Sequence, residues 1–149
     1  MLDRPAARAA LLLLLFLAAC GARHPQGTKP ARVVADFSGG SVTLRGSLPD
    51  ARAHDRLLER ARSLYGQGHV QDHLEVDSQV IDAPWIAGEA LMLPLVDSGI
   101  SDGQAIFDGH RLQLTGEVPT DTIRAQLSQR AARAAGEAYP VDNHLQVMR

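Results

Sequence analysis

Apolar and polar residues alternate along residues 41–48, SVTLRGSL, and again along residues 112–118, LQLTGEV. A period of two residues is typical of a β-strand with one covered face. Turn-forming glycines precede both segments, so the short segments before the turns, RVVADF and AIF, are predicted to pair back as hairpin partners. Residues 70–76 and 141–147 alternate in the same way and predict a closing strand in each half of the chain.

A helix is predicted between the hairpin and the closing strand of each half, over residues 50–65 and 120–135. Pro49 and Pro119 suit helix entry, where a missing N–H does no harm. The apolar residues recur at helical spacing: Leu57, Leu58, Ala61 and Leu64 in the first helix, and Ile123, Leu127, Ala131 and Ala134 in the second. Asp50 and Thr120 can cap the two N-termini, and Gly66 and Gly136 are predicted to end the helices in left-handed conformation.

The two halves match each other when the chain is shifted by 70 residues. Phe37 then falls on Phe107, Gly46 on Gly116 and Pro49 on Pro119. With one inserted residue, VQDHLEV also aligns with VDNHLQV. Because the matches are ordered along the whole unit, they predict an internal duplication.

An apolar segment, IDAPWIAGEALMLPLVDSG, joins the halves. It predicts a linking helix at residues 82–97 with apolar side chains on nearly every side. Such a helix is expected to be buried against the sheet, and the alternative is that it binds a membrane or partner surface.

These elements predict an α+β fold of two ββαβ pseudo-repeats, at residues 32–78 and 103–148, in one domain spanning residues 32–149. We expect a mixed sheet of about six strands with about three helices on one face. Either half alone would struggle to bury enough core, because it is short and has no disulfide or metal.

The first 19 residues have the layout of a secretory signal peptide, with two arginines before an apolar run that is too short to span a bilayer. Residues 17–20, LAAC, resemble the lipobox of bacterial lipoproteins at all four positions. The resemblance implies cleavage before Cys20, followed by acylation of its thiol and its amine. The alternative is that Cys20 is an ordinary residue and cleavage occurs elsewhere.

Cys20 is the sole cysteine, so an intramolecular disulfide is impossible. Acyl chains on Cys20 would hold the protein on a membrane, since each buried CH2 contributes about 0.8 kcal/mol. Gly21 stands where inner-membrane lipoproteins usually carry aspartate, so the resemblance implies the outer membrane, with the domain facing the periplasm. Residues 20–31 are predicted to be the lipidated cysteine and a flexible tether, because they are rich in Gly, Pro and basic groups.

Removal of residues 1–19 would change the formal count from 15 basic and 17 acidic residues to 13 and 16. This balance, without a basic stripe or interleaved aromatic residues, argues against nucleic acid as a partner. The arginine-rich helix segment with Arg52, Arg56, Glu59, Arg60 and Arg62 is interpreted first as an exposed helix side. Its alternative role is contact with anionic lipid.

The segment VTLRGSLPDARAHDRLLERARSLYGQGHVQDHLEV resembles the BON domain in its order of strand, Gly, Pro, amphipathic helix and closing strand. The paired arrangement, over about residues 33–147, resembles the tandem BON-like region that precedes the OmpA-type domain in some envelope proteins. The resemblance implies an αβ-sandwich without cofactor or catalytic residues, and a role in contacting membranes or other envelope components. This sequence contains no OmpA-type domain, so peptidoglycan binding is not carried over.

The sequence offers candidate residues for a metal site and for acid–base catalysis, and both kinds of site are discounted. A metal site at His69, His73 and Glu75 is discounted because the second half keeps one matching histidine, His144. Asp72, Glu75 and Asp77 are interpreted as solvated carboxylates, and no nucleophile elbow, phosphate loop or dinucleotide motif is present. We therefore expect a non-enzymatic, lipid-anchored protein that binds a membrane or envelope component. The alternative is an accessory subunit of an outer-membrane protein assembly.

Overall fold

The computed structural model of the chain describes residues 27–81, 100 and 102–149. The first half contains β1 (Arg32–Ser38), β2 (Ser41–Leu48), α1 (Ala51–Tyr65), a short 3₁₀ helix (Gln67–His69) and β3 (Val70–Val76). The second half contains β4 (Asp102–Phe107), β5 (Leu112–Val118), α2 (Asp121–Ala135) and β6 (Val141–Val147). The predicted linking helix at residues 82–97 lies outside the described residues.

The strands form one mixed sheet in the order β3-β2-β1-β4-β5-β6, which confirms the predicted sheet of six strands. The two hairpins are antiparallel, as expected, and each closing strand runs parallel to the second strand of its hairpin. The halves join at the centre of the sheet, where β1 and β4 pair antiparallel. Two α-helices are present in the described part of the chain, and the prediction of an internal duplication stays a prediction.

One face of the sheet is apolar and carries the core. Across four strands, Leu44, Ala35, Ala105 and Leu114 lie side by side in register, and each is 0% exposed. Leu57 and Ala61 of α1 and Leu127 and Ala131 of α2 belong to the same cluster, so both helices cover this face. Ala134, which was predicted to lie in the apolar stripe, is exposed in the last turn of α2.

The helix N-termini are capped as predicted. A side-chain oxygen of Asp50 accepts from the N–H of Ala53 at 2.7 Å, and the hydroxyl oxygen of Thr120 accepts from the N–H of Ile123 at 3.2 Å. The C-terminal prediction is wrong in one respect. Gly66 and Gly136 have φ of 87° and 72°, but their ψ angles of 150° and −179° are extended, because the chain leaves each helix directly instead of closing a left-handed turn.

Gly46 and Gly116 allow neighbouring strands to approach each other closely. Both residues have positive φ, 132° and 133°. A Cβ at residue 46 would lie 2.0 Å from the carbonyl oxygen of Arg32, and one at residue 116 would lie 2.7 Å from that of Asp102. Since the obstructing atoms are backbone, a side chain at either position would push the hairpin strands apart.

We therefore predict that Gly46→Ala and Gly116→Ala each lower the free energy of unfolding by about 2 kcal/mol or more, because backbone strain of this kind costs roughly 1–3 kcal/mol before the steric clash is added. Urea denaturation followed by circular dichroism measures the change. Gly68→Ala is the matched control, because a Cβ there meets nothing within 4 Å. Equal stability of all three variants would contradict the prediction.

Candidate functional site

The outward side of α1 is a basic surface. We define the α1 surface as Arg52, Asp55, Arg56, Glu59 and Arg62, all of which are exposed. The Nε of Arg56 donates to the carbonyl oxygen of Arg52 at 3.4 Å, which holds that guanidinium along the helix. Arg60, predicted to share the exposed side, is half-buried instead.

A shallow groove of about 490 Å³ runs along the α1 surface. It is lined by Asp55, Leu58, Glu59, Arg62, Ser63 and Gln67. Leu58 is only 7% exposed and provides an apolar floor, whereas the rim carries charges of both signs. The groove therefore offers an apolar strip beside an arginine.

Charge is separated between the helices and the strands. The two helices contain seven arginines and three acidic residues, whereas the six strands contain two arginines and six acidic residues. The chain is acidic as a whole, but its helix layer carries a net positive charge. A negatively charged surface would attract this layer and repel the strands.

His54 connects α1 to the edge strand β3. Its Nε2 lies 3.0 Å from a carboxylate oxygen of Asp72, and its Nδ1 lies 3.1 Å from one of Asp55. Carboxylates only accept hydrogen bonds, so both nitrogens are satisfied at once only in the protonated ring. The hydrogen bond to Asp55 accordingly raises the pKa of His54; burial opposes the rise and the charge of Asp72 adds to it.

The second half has a neutral link in the corresponding place. The side-chain amide of Asn143 on β6 donates to the carbonyl oxygen of Arg124 on α2 at 3.3 Å. Sequence reasoning placed Asp72 among solvated carboxylates and missed its link to His54. The signal was available, because Asp72 stands between Val70 and Leu74 at a position of the strand that faces the helix.

The face of the sheet that lies opposite the two described helices is polar at its margins and partly apolar at its centre. Val34 and Ile106 are paired in register there and are half-buried. Beside them, the side-chain amide of Gln104 donates to Asp36, whose other carboxylate oxygen lies 3.4 Å from Arg45. A groove of about 390 Å³ adjoins this cluster and is lined by Arg32, Val34, Arg45, Gly46, Ser47 and Gln104.

The residues considered for a metal site are not all on one strand. His69 ends the 3₁₀ helix, where its Nδ1 lies 3.4 Å from the hydroxyl of Ser41, whereas His73 and Glu75 are exposed on β3. Across the residues that the structure describes, no cluster of three or more His, Cys, Asp or Glu side chains could hold a metal ion. Asp77 is engaged elsewhere, by Lys29.

The residues from Gly27 to Ala31, predicted to be the end of the tether, are packed on the domain. Lys29 accepts a hydrogen bond from the N–H of Ile81 at 2.8 Å, and its own N–H donates to the carbonyl oxygen of Gln79 at 2.9 Å. Its ammonium group donates to Asp77 at 2.9 Å. The N–H of Gln79 and the Lys29 ammonium both lower the pKa of Asp77, so this carboxylate stays ionised.

The same segment reaches the second half. Ala31 is 2% exposed and belongs to the core, and a Cβ at Gly109 would lie 2.9 Å from Pro30. The chain therefore enters the domain through a fixed segment that contacts both halves. Cys20 lies outside the described residues, and none of the described helices is long and apolar enough to cross a bilayer.

Comparison with known protein families gives a match in the first half of the chain. The BON-like domain family matches residues 37–78, which cover most of the first half from the end of β1 to just beyond β3. No curated protein matches the chain. The match supports a BON-like domain in this region and suggests an envelope-associated binding role.

The His54 link predicts a pH-dependent contribution to stability. Because its pKa is raised in the folded state, the link contributes fully below the ordinary pKa of 6.5, and the contribution is lost as the pH rises through the folded value. We expect wild type to exceed His54→Gln in free energy of unfolding by more at pH 5.5 than at pH 8.5.

Denaturant unfolding of both chains at the two pH values measures this difference. His73→Gln, which removes an exposed histidine of β3, is the control against which the trend in His54→Gln is compared. A His54→Gln deficit that is the same at both pH values would show that the link does not depend on protonation.

Proposed function

We propose that this protein is a non-enzymatic, lipid-anchored component of the cell envelope whose BON-like domain binds an anionic membrane surface through the α1 surface. Acyl chains on Cys20 hold it to the outer membrane, with the domain in the periplasm. The separation of charge between helices and strands is the observation that carries the proposal. The BON-like match at residues 37–78, which includes all of α1, supports it.

Charge alone favours one orientation of the domain on such a membrane. Each arginine near an anionic bilayer contributes about 1 kcal/mol, and the contribution falls off within a Debye length of about 10 Å at 0.1 M salt. The exposed Arg52, Arg56 and Arg62 lie on one helix, so they can approach a plane together. The acidic strands then face away from the lipid.

The acyl anchor makes this weak attraction effective. An anchored domain samples a high local concentration of lipid, so that docking becomes an intramolecular step. The lipobox-like LAAC at residues 17–20 supports the anchor. The sole cysteine of the chain would be consumed by lipid, which removes a reactive thiol from an oxidising compartment.

A second candidate function is that of an accessory subunit in an outer-membrane protein assembly. The observation that favours it is the face of the sheet opposite the two described helices, with the half-buried pair Val34 and Ile106 at its centre. An apolar centre with a polar rim is the usual anatomy of a protein interface. Crosslinking from this face to a single stoichiometric protein, in intact cells, would favour this function.

Removal of two arginines from the α1 surface is predicted to weaken docking. The probe is the acylated chain on vesicles that contain about 30% anionic lipid. The double variant Arg52→Gln with Arg62→Gln should lower the equilibrium constant for docking about 30-fold, which corresponds to ~2 kcal/mol. A fluorophore on Ser63→Cys, which is exposed on α1, reports docking through quenching by lipid-borne nitroxide.

Arg32→Gln with Arg45→Gln is the matched control, because it removes the same charge from the strands. Wild type should also undock in high salt and on vesicles of neutral lipid. Equal loss of docking in both double variants would mean that net charge, and not the α1 surface, attracts the domain.

Replacement of Cys20 by serine is predicted to release the protein from the membrane. Serine has no sulfur with which to form the thioether bond to the diacylglyceryl group, so the chain should move from the membrane pellet to the soluble periplasmic fraction after cell fractionation. If the Cys20→Ser chain remains in the pellet unchanged, lipidation is not what holds the protein there.

A further inference from the structure

One end of the domain combines the fixed N-terminal segment with two exposed apolar side chains. We define this proximal end as residues 27–29 together with residues 76–81. Lys29 and Val80 form an isolated parallel bridge there. Val76 is 54% exposed and Ile81 is 48% exposed, and they are two of the three large exposed hydrophobic residues in the described part of the chain.

The third exposed hydrophobic residue, Met148, lies at the opposite end of the sheet. Val33 of β1 pairs with Phe107, and Phe107 pairs with Leu112, so β5 begins at the end where β1 begins. Met148 hydrogen-bonds to Val118, the last residue of β5. A seven-residue strand spans about 23 Å, and β1 and β6 are three strand spacings apart, or roughly 14 Å. Met148 is therefore about 25 Å or more from the start of β1.

Chain length then limits which end can meet the bilayer. Cys20 and Gly27 are separated by six residues, so their Cα atoms can be at most about 25 Å apart even in a fully extended chain. With Cys20 acylated, the proximal end reaches the bilayer with chain to spare. The Met148 end would reach it only if the intervening residues ran fully extended along the whole sheet.

The charge and the apolar side chains of the proximal end also favour an orientation in which this end meets the bilayer. Asp77, the acidic residue at its centre, is neutralised by the Lys29 ammonium at 2.9 Å, so it does not repel an anionic surface. The helix α1 begins here as well, because the N–H of Asp77 donates to the carbonyl oxygen of Leu48, two residues before the Asp50 cap. The apolar pair and the first arginine of the α1 surface thus lie at one end.

We infer that the proximal end is the part of the domain that enters the bilayer interface, with Val76 and Ile81 in contact with lipid. This inference rests on the proposed acylation of Cys20, and it adds which residues touch the membrane. The second half, including α2 and the far end at Met148, then points away from the lipid.

Two variants, each with one free thiol, test this orientation. Because Cys20 is the only native cysteine, acylation leaves the thiol of Ile81→Cys or Met148→Cys as the one site for a fluorophore. The two positions are matched, at 48% and 43% exposed. On vesicles of phosphatidylethanolamine and phosphatidylglycerol, lipid-borne nitroxide should quench the label at residue 81 severalfold more than the label at residue 148. A water-soluble quencher should give the reverse order.

A variant with no fluorophore at residue 81 excludes an effect of the label at that position. Val76→Ser with Ile81→Ser should reduce docking reported from Ser63→Cys, whereas Met148→Ser should leave it unchanged. Equal quenching at residues 81 and 148, or stronger quenching at 148, overturns the inference. So does an unchanged docking signal in the double serine variant.

Mass spectrometry of the N-terminal peptide separates this failure from that of the proposed function. If Cys20 is acylated and the labels are quenched equally, the orientation alone is wrong. An unmodified Cys20 overturns both the anchor and the orientation. Quenching at residue 81 that survives Arg52→Gln with Arg62→Gln leaves the orientation standing and removes the role of the α1 surface.

Discussion

The antiparallel pairing of β1 with β4 is the contact on which the rest of the structure depends. It places Ala35 beside Ala105 and Val33 beside Phe107, so that the apolar faces of two three-stranded units become one continuous surface. A three-stranded unit with one helix leaves one edge of its sheet, and the apolar side chains near it, exposed to water. Joining at that edge gives both units a shared core and leaves β3 and β6 as the outer strands.

Both outer strands protect their free edge in the same way. Asp77 donates its N–H to Leu48, so the N–H groups of the even-numbered residues of β3 point outward, and that of Leu74 is taken by the Asp72 side chain at 3.0 Å. In β6 the N–H of Leu145 is taken by Asn143 at 3.0 Å. An incoming strand would have to displace these bonds. Partners are therefore expected on the faces and ends of the domain more than along its edges.

Local sequence patterns predicted the strands and helices, but contacts between residues far apart in the sequence could not be predicted from such patterns. The alternation of apolar and polar residues predicted the strands. The helix caps at Asp50 and Thr120 could also be predicted, because a capping residue is adjacent in sequence to the helix that it caps. The central β1–β4 pairing, the close approach at Gly46 and the His54–Asp72 link each join residues that the sequence separates. The arginines of α1 were visible in the sequence, but the net charge did not indicate a basic helix layer, because summing over the chain cancels seven helical arginines against acidic residues on the strands. The linking helix and Cys20 lie outside the described residues.

The point at which the N-terminal segment enters the fold, more than any single side chain, relates the structure to the proposed function. The segment from Gly27 to Ala31 is hydrogen-bonded to residues 79–81 and packs against Gly109, so the chain enters the domain at a fixed point that both halves share. A pull on the N-terminus would act on the core directly, since Ala31 and Val80 are both buried there. A fixed entry point would convert the acyl anchor proposed at Cys20, which by itself sets only a distance from the bilayer, into a constraint on orientation. In the proposed arrangement, the domain presents its proximal end to lipid, and the face of the sheet opposite the two described helices is the candidate surface for a protein partner.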